Sequence, residues 1–234
     1  MKIYGMSHAG GTIDFYRELK EILHNRGIEF CPVEYSGHGQ RKNENFYDSI
    51  KHAASDILNI ILKDLSDDQS YCLFGYSMGC LVVNEIVNEI ARHEGGNFPK
   101  YVFLAAHEPI EKKCIVNKYT EQDIEYFIRN EIIRLGGIPE KLYENSVFWR
   151  MYMPMYKSDY KMIWNYKLEK YAKRHYVDAV ILYSKQESNV EIMKGWNDFF
   201  AVKGIYGYEE KHFFLKENVE QISKIICDKM KRLE

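Results

Sequence analysis

The sequence predicts an α/β fold: a mostly parallel central sheet with helices on both faces and a helical lid insertion. Short apolar runs alternate with amphipathic stretches at helical spacing from Ile3 to Ala106. The alternation stops from about Ile110 to Tyr171, where helical patterns follow one another, and then resumes. The sharpest turn, Gly75-Tyr76-Ser77-Met78-Gly79, falls where a strand hands over to a helix. With 234 residues the chain suits a single domain over 1–234, the lid occupying about 110–171.

In chain order, Ile3 to Met6 reads as a strand and Ser7–Thr12 as a loop. An amphipathic helix follows from about Ile13 to Asn25, stopped at Gly27. Ile28 to Tyr35 is a second strand, Ser36–Arg41 a loop, and Phe46 to Leu65 a helix. Tyr71 to Phe74 is a buried strand. Leu81, Val82, Val83, Ile86, Val87 and Ile90 then recur at helical spacing, and Gly95-Gly96-Asn97 breaks that helix before the strand Tyr101 to Ala106. Lid helices are expected over 121–135, 139–151 and 158–171, with Pro154 ending or kinking a helix. The stripe Phe148, Trp149, Met151, Tyr152, Met155 and Tyr156 suits an acyl site, although such stripes are more often the packing face of a helix. Tyr176–Tyr183 and Val202–Tyr206 complete the sheet, with helices at Val190–Phe200 and Val219–Met230. Loops that follow parallel strands gather at one sheet edge, where ligands bind.

Gly75 to Gly79 has the G-x-S-x-G form of a nucleophile elbow, in the strand-to-helix setting that the motif needs. The chain reverses within a few residues, straining the serine backbone, and side chains at 75 and 79 would collide. The Ser77 hydroxyl is then presented at a helix amino terminus, which favours developing negative charge.

A serine hydroxyl needs a base. In this architecture the chain order is serine, acid, histidine. His212 follows the last strand and belongs to the same edge; His107 closes a strand too early, and His175 falls at the opposite edge. The loop Ser184–Asn189 offers one carboxylate, Glu187, which reads otherwise as an ordinary solvated charge. Glu108 stays open as an alternative, whereas Asp178 lies near the wrong end of its strand, about 17 Å short. Two amides must hold an oxyanion: Met78 follows the nucleophile, and the His8–Gly11 loop supplies the other, with Ala9 first and Gly10 next. His8 reads as a loop-packing residue.

Composition narrows the classes. The chain is 46% hydrophobic and 28% charged with a formal net charge of −2, a globular balance without a basic field for nucleic acid or anionic membrane. No apolar run approaches a membrane span and the amino terminus does not read as a signal peptide. The 5 cysteines are odd in number and lack metal-ligand spacing, which favours a reducing cytoplasm and no metal.

In this order the motifs resemble the type II thioesterases, the discrete editing enzymes of non-ribosomal peptide and polyketide synthases within the α/β-hydrolase superfamily. His8-Ala9-Gly10-Gly11 matches that family's opening block, and Tyr35–Arg41 resembles its P-G-H/R-G-x-R loop, with Ser36 for proline. Leu73–Gly79 resembles L-F-G-H-S-M-G with Tyr76 for histidine. Leu135–Pro139 and Ser158-Asp159-Tyr160 match lid signatures, and Gly195-Trp196 and His212–Leu215 the carboxyl-terminal block. The family's acid-loop aspartates fall near Lys185 and Gln186 in an ungapped alignment, and one deletion brings Glu187 into place. Its Gly-Gly before the histidine is Glu210-Lys211 here. The resemblance implies a thioesterase acting on acyl or aminoacyl thioesters on the phosphopantetheine arm of acyl or peptidyl carrier proteins, with no cofactor of its own; a monomer is expected. Competing readings are a fatty acyl-carrier or acyl-CoA thioesterase, a carboxylesterase, and a carrier-binding scaffold with weakened catalysis.

Overall fold

A computed structural model describes residues 1–66, 69–92, 96–109, 121–167 and 177–231. The strands are β1 (Lys2–Met6), β2 (Glu29–Pro32), β3 (Tyr71–Tyr76), β4 (Tyr101–Ala105), β5 (Asp178–Ser184) and β6 (Ala201–Tyr208). They form a 6-stranded sheet in the order β2-β1-β3-β4-β5-β6, and every pairing is parallel. A parallel sheet covered on both faces needs strands apolar on both sides. β3 meets this requirement, being buried at all 6 residues.

The period of two along β3 divides the core. Tyr71 and Leu73 join the layer of Ile57, Ile61, Val83 and Ile86, contributed by α2 (Ile50–Asp64) and α3 (Met78–Arg92). Cys72, Phe74 and Tyr76 join Leu19, Leu23, Ile222 and Ile226 on the other face, from α1 (Arg17–Asn25) and α7 (Val219–Met230). Each such aliphatic or aromatic side chain contributes about 1.5–3 kcal/mol by leaving water.

Register sets the active edge. Met6 pairs with Gly75, Tyr76 with Ala105, Ala105 with Leu182, and Ser184 with Tyr208. The residues after β1, β3, β4, β5 and β6 therefore emerge side by side. Asp178 begins β5 at the other end and faces Lys203 at 3.4 Å.

Several element boundaries differ from expectation. The first helix opens as a 3-10 turn at Ile13–Tyr16, β2 stops at Pro32, and α2 starts at Ile50, where the Ser49 hydroxyl caps the His52 N–H at 3.2 Å. In place of Val190–Phe200 the chain forms α6 (Val190–Met193) and a 3-10 turn at Lys194–Asp198. The main correction concerns the lid. After α4 (Glu121–Leu135) and a short turn at Glu140–Leu142, one helix, α5 (Ser146–Asn165), replaces the expected pair and runs through Pro154. α4 ends in a Schellman arrangement, Gly136 N–H donating to the Ile133 carbonyl and Gly137 N–H to that of Ile132, both at 3.0 Å. The lid packs its own small cluster, including Ile128, Ile132, Trp149, Met153 and Tyr156. The expected lid residues 110–120 and 168–171, together with Gly95, Cys114, His175 and Tyr176, lie outside the described residues.

Candidate active site

The turn after β3 has the strain the motif predicts. Ser77 adopts φ 53°, a left-handed conformation, and its N–H donates to the Ala105 carbonyl at 2.8 Å. A Cβ at Gly75 would lie 2.5 Å from the Gly79 carbonyl oxygen, and one at Gly79 would lie 2.1 Å from that of Met6. Both clashes are with backbone, which cannot rotate away, so only glycine fits.

His212 is held from both directions. Its backbone carbonyl accepts the Tyr76 hydroxyl at 2.5 Å, and its Nδ1 lies 2.8 Å from Glu187 Oε2. Sequence reasoning noted Tyr76 only as a departure from histidine; the structure has it anchoring the segment that carries His212. With Nδ1 committed to the carboxylate, Nε2 is the nitrogen that can take a proton. The acid loop is closed on itself and tied to the strand beside it. Ser188 N–H donates to the Ser184 carbonyl at 3.0 Å, Lys185 N–H to that of Tyr208 at 2.8 Å, and the Ser184 hydroxyl to that of Glu210 at 2.6 Å. The Glu210 carboxylate accepts the Asn218 amide at 2.7 Å, so the residue replacing the first of the family's glycines helps hold the loop. On the lid side, Arg134 pairs with Glu131 at 2.7 Å and approaches Glu187 Oε1 at 4.0 Å.

Ser77, His212 and Glu187 line one cavity of about 350 Å³, together with Ala9, Met78 and Glu108. Glu108 is exposed there, and the imidazole faces Glu187 instead. Ser77, His212 and Ala9 also line a smaller inner chamber of about 30 Å³, walled by Ile132, Leu135, Tyr156, Tyr160 and Phe213. Gly10 is removed as an oxyanion donor, because its N–H is given to Asp159 Oδ2 at 2.7 Å. Ala9 and Met78 remain beside Ser77.

His8 and His107 pack against their neighbours. His8 lies edge-on to Phe15 and Phe213, with centroids at 4.6 and 4.9 Å. Burial first, then the charges of His212, Lys216 and His38, push its pKa down to about 3. Burial likewise lowers His107, whose Nδ1 sits against the Glu108 carbonyl at 2.5 Å. Among the described residues, no group of three or more His, Cys, Asp or Glu side chains could hold a metal ion, and no helix is long and apolar enough to cross a membrane.

Known proteins agree with this architecture. The chain is 24% identical over 215 residues to the medium-chain S-acyl fatty acid synthase thioesterase of Rattus norvegicus, covering 88% of this chain and 78% of the relative. ClbQ, from the colibactin NRPS/PKS pathway, superposes with a TM-score of 0.84 at 22% identity, over 99% of this chain and 97% of its own. BorB, the type II thioesterase from the borrelidin biosynthetic cluster, does so at 0.78 and 19% identity, over 97% and 91%. The fold is that of the α/β hydrolases. The thioesterase domain family model matches residues 2–230, and the chain accordingly belongs to that family of thioester hydrolases.

Proposed function

We propose that the chain is a serine thioesterase that clears acyl or aminoacyl groups from the phosphopantetheine arm of carrier proteins, unblocking a non-ribosomal peptide or polyketide synthase. The observation that carries this is the 2.8 Å His212–Glu187 hydrogen bond on a cavity shared with Ser77. His212 Nε2 takes the Ser77 hydroxyl proton as the oxygen attacks the thioester carbonyl. The Met78 and Ala9 amides hold the tetrahedral oxyanion. It collapses, the carbon–sulfur bond breaks, and the pantetheine thiolate leaves with the proton from His212. Water, deprotonated by His212, then hydrolyses the acyl-serine. Glu187 keeps the imidazole in the right tautomer and balances its charge. This chemistry needs no cofactor beyond the arm that the partner brings, and the cysteine usage supports a cytoplasmic enzyme. The similarity to ClbQ and BorB supports the synthase setting.

The rat relative favours a second reading, release of medium-chain fatty acyl groups. We assign the acyl group to the inner chamber beside Ser77, where about 30 Å³ is room for on the order of two water-sized groups and favours short acyl chains. A panel of carrier-bound acyl groups tests both: acetyl and propionyl are expected to turn over at least tenfold faster (kcat/KM) than decanoyl, a difference of about 1.4 kcal/mol. The reverse order would favour the fatty acyl reading. Ser77→Ala should abolish turnover and fluorophosphonate labelling; retention of either removes Ser77 as nucleophile.

A further inference from the structure

The Ser36–Arg41 loop and the Ser158–Tyr160 block have no part in the steps above, yet the structure joins them. His38 and Asp159 are each 1% exposed, with His38 Nε2 3.0 Å from Asp159 Oδ2. His38 Nδ1 lies 3.0 Å from the Ser36 carbonyl oxygen. A carbonyl and a carboxylate both accept, so a ring that satisfies both donates from both nitrogens and is an imidazolium. Burial works against that charge, but the Asp159 hydrogen bond and charge, the Ser36 carbonyl and Glu34 outweigh it and raise the His38 pKa.

The same Asp159 Oδ2 accepts the Gly10 N–H at 2.7 Å. Gly10 sits at φ 72°, and a Cβ there would strike the Tyr156 ring at 2.0 Å, one turn before Asp159 on α5. The loop is thus seated directly on the lid helix. Its neighbour Ala9 lines both the main cavity and the inner chamber beside Ser77. A buried ion pair adds little net stability, because desolvation consumes most of the attraction. An ionised carboxylate gripping a loop amide does fix geometry, since charge-assisted bonds are short and strong.

We propose that Asp159, its charge balanced by His38, is a positioning residue for the oxyanion loop: it pins Gly10 so that the Ala9 amide is aimed at the oxygen developing on the acylated Ser77, and it makes that aim depend on α5 being seated. This rests on the reading of Ser77 as nucleophile.

Asp159→Asn keeps the shape and an acceptor for Gly10 while removing the charge. The expected result is a fall in kcat of about tenfold with KM within about twofold, smaller than the loss of an oxyanion donor itself. Affinity for phenylboronic acid, whose serine adduct mimics the tetrahedral oxyanion, should fall by a similar factor. His38→Gln, whose amide can still donate to Asp159, should retain several-fold more kcat than His38→Ala. Unchanged kcat and boronate affinity in Asp159→Asn, or a loss confined to KM, would overturn the proposal. So would equal losses in the two His38 variants that simply track their melting temperatures. If Ser77→Ala itself remains active, the underlying reading fails; if Ser77→Ala is dead while Asp159→Asn is normal, the anchor alone fails.

Discussion

At the scale of single residues, the site's carboxylate is a glutamate that is held on both sides. Its Oε2 takes the imidazole at 2.8 Å and its Oε1 faces Arg134 at 4.0 Å. The extra methylene relative to aspartate adds a rotatable bond, and the closed Ser184–Ser188 turn limits what that freedom costs. Glu187→Gln keeps the size but removes the charge that orients His212. We expect kcat for a short acyl thioester to fall about 100-fold with KM little changed, a smaller loss than for an amide because a thiolate leaves readily. A variant with wild-type kcat would show that Glu187 is only a neighbour. Ser77 was legible in the sequence because two backbone clashes force glycine onto fixed positions around it. Glu187 was legible because topology leaves a single carboxylate in that loop. The Asp159–His38 pair was not: the two residues are 121 positions apart, and nothing in either segment encodes how α5 seats against the β1 loop.

At the scale of elements, the strands and core helices were readable from periodicity alone, and the closing helix Val219–Met230 has the bounds its apolar spacing implies. α5 was misread as two helices because a proline in a helix interior costs about 3 kcal/mol. Packing overrides that preference. Trp149 and Met153 before the proline, and Met155, Tyr156 and Tyr160 after it, are all buried, so ending the helix would expose one set or the other. The carbonyl left without its donor, that of Arg150, belongs to an exposed stretch where water can serve it. The Asn145 side chain caps the start, accepting the Phe148 N–H at 2.9 Å. Pro154→Ala should restore the missing bond and slow amide exchange in the middle of α5, by about 1–2 kcal/mol once the looser unfolded chain is counted. Unaltered exchange there would mean that the proline costs the helix nothing.

At the scale of the whole molecule, packed histidines of opposite character shape stability against pH. Folded His8 and His107 resist protonation, so below about pH 6.5 the unfolded chain binds protons that the native one refuses. Stability should therefore fall as pH drops from about 6.5 toward 3. His38 has the opposite sign. Its raised pKa means that its contribution is complete below about pH 6.5 and is lost as pH climbs through the folded value, with Asp159 and Glu34 the carboxylates acting on it. Urea midpoints measured across pH are expected to peak near 6–7. His8→Phe should flatten the acid limb, and His38→Gln the alkaline one. Midpoints that keep both slopes in these variants would refute the assignment.

The strand order has a consequence for biosynthesis. The elbow lies in the middle of the sheet, whereas the imidazole arrives only after the edge strand β6, with Tyr76 and the carbonyl it grips 136 positions apart. A polypeptide emerging from the ribosome thus exposes its reactive hydroxyl long before anything can activate it. Competence therefore comes late in synthesis, once β6 and the segment that follows it have joined the sheet.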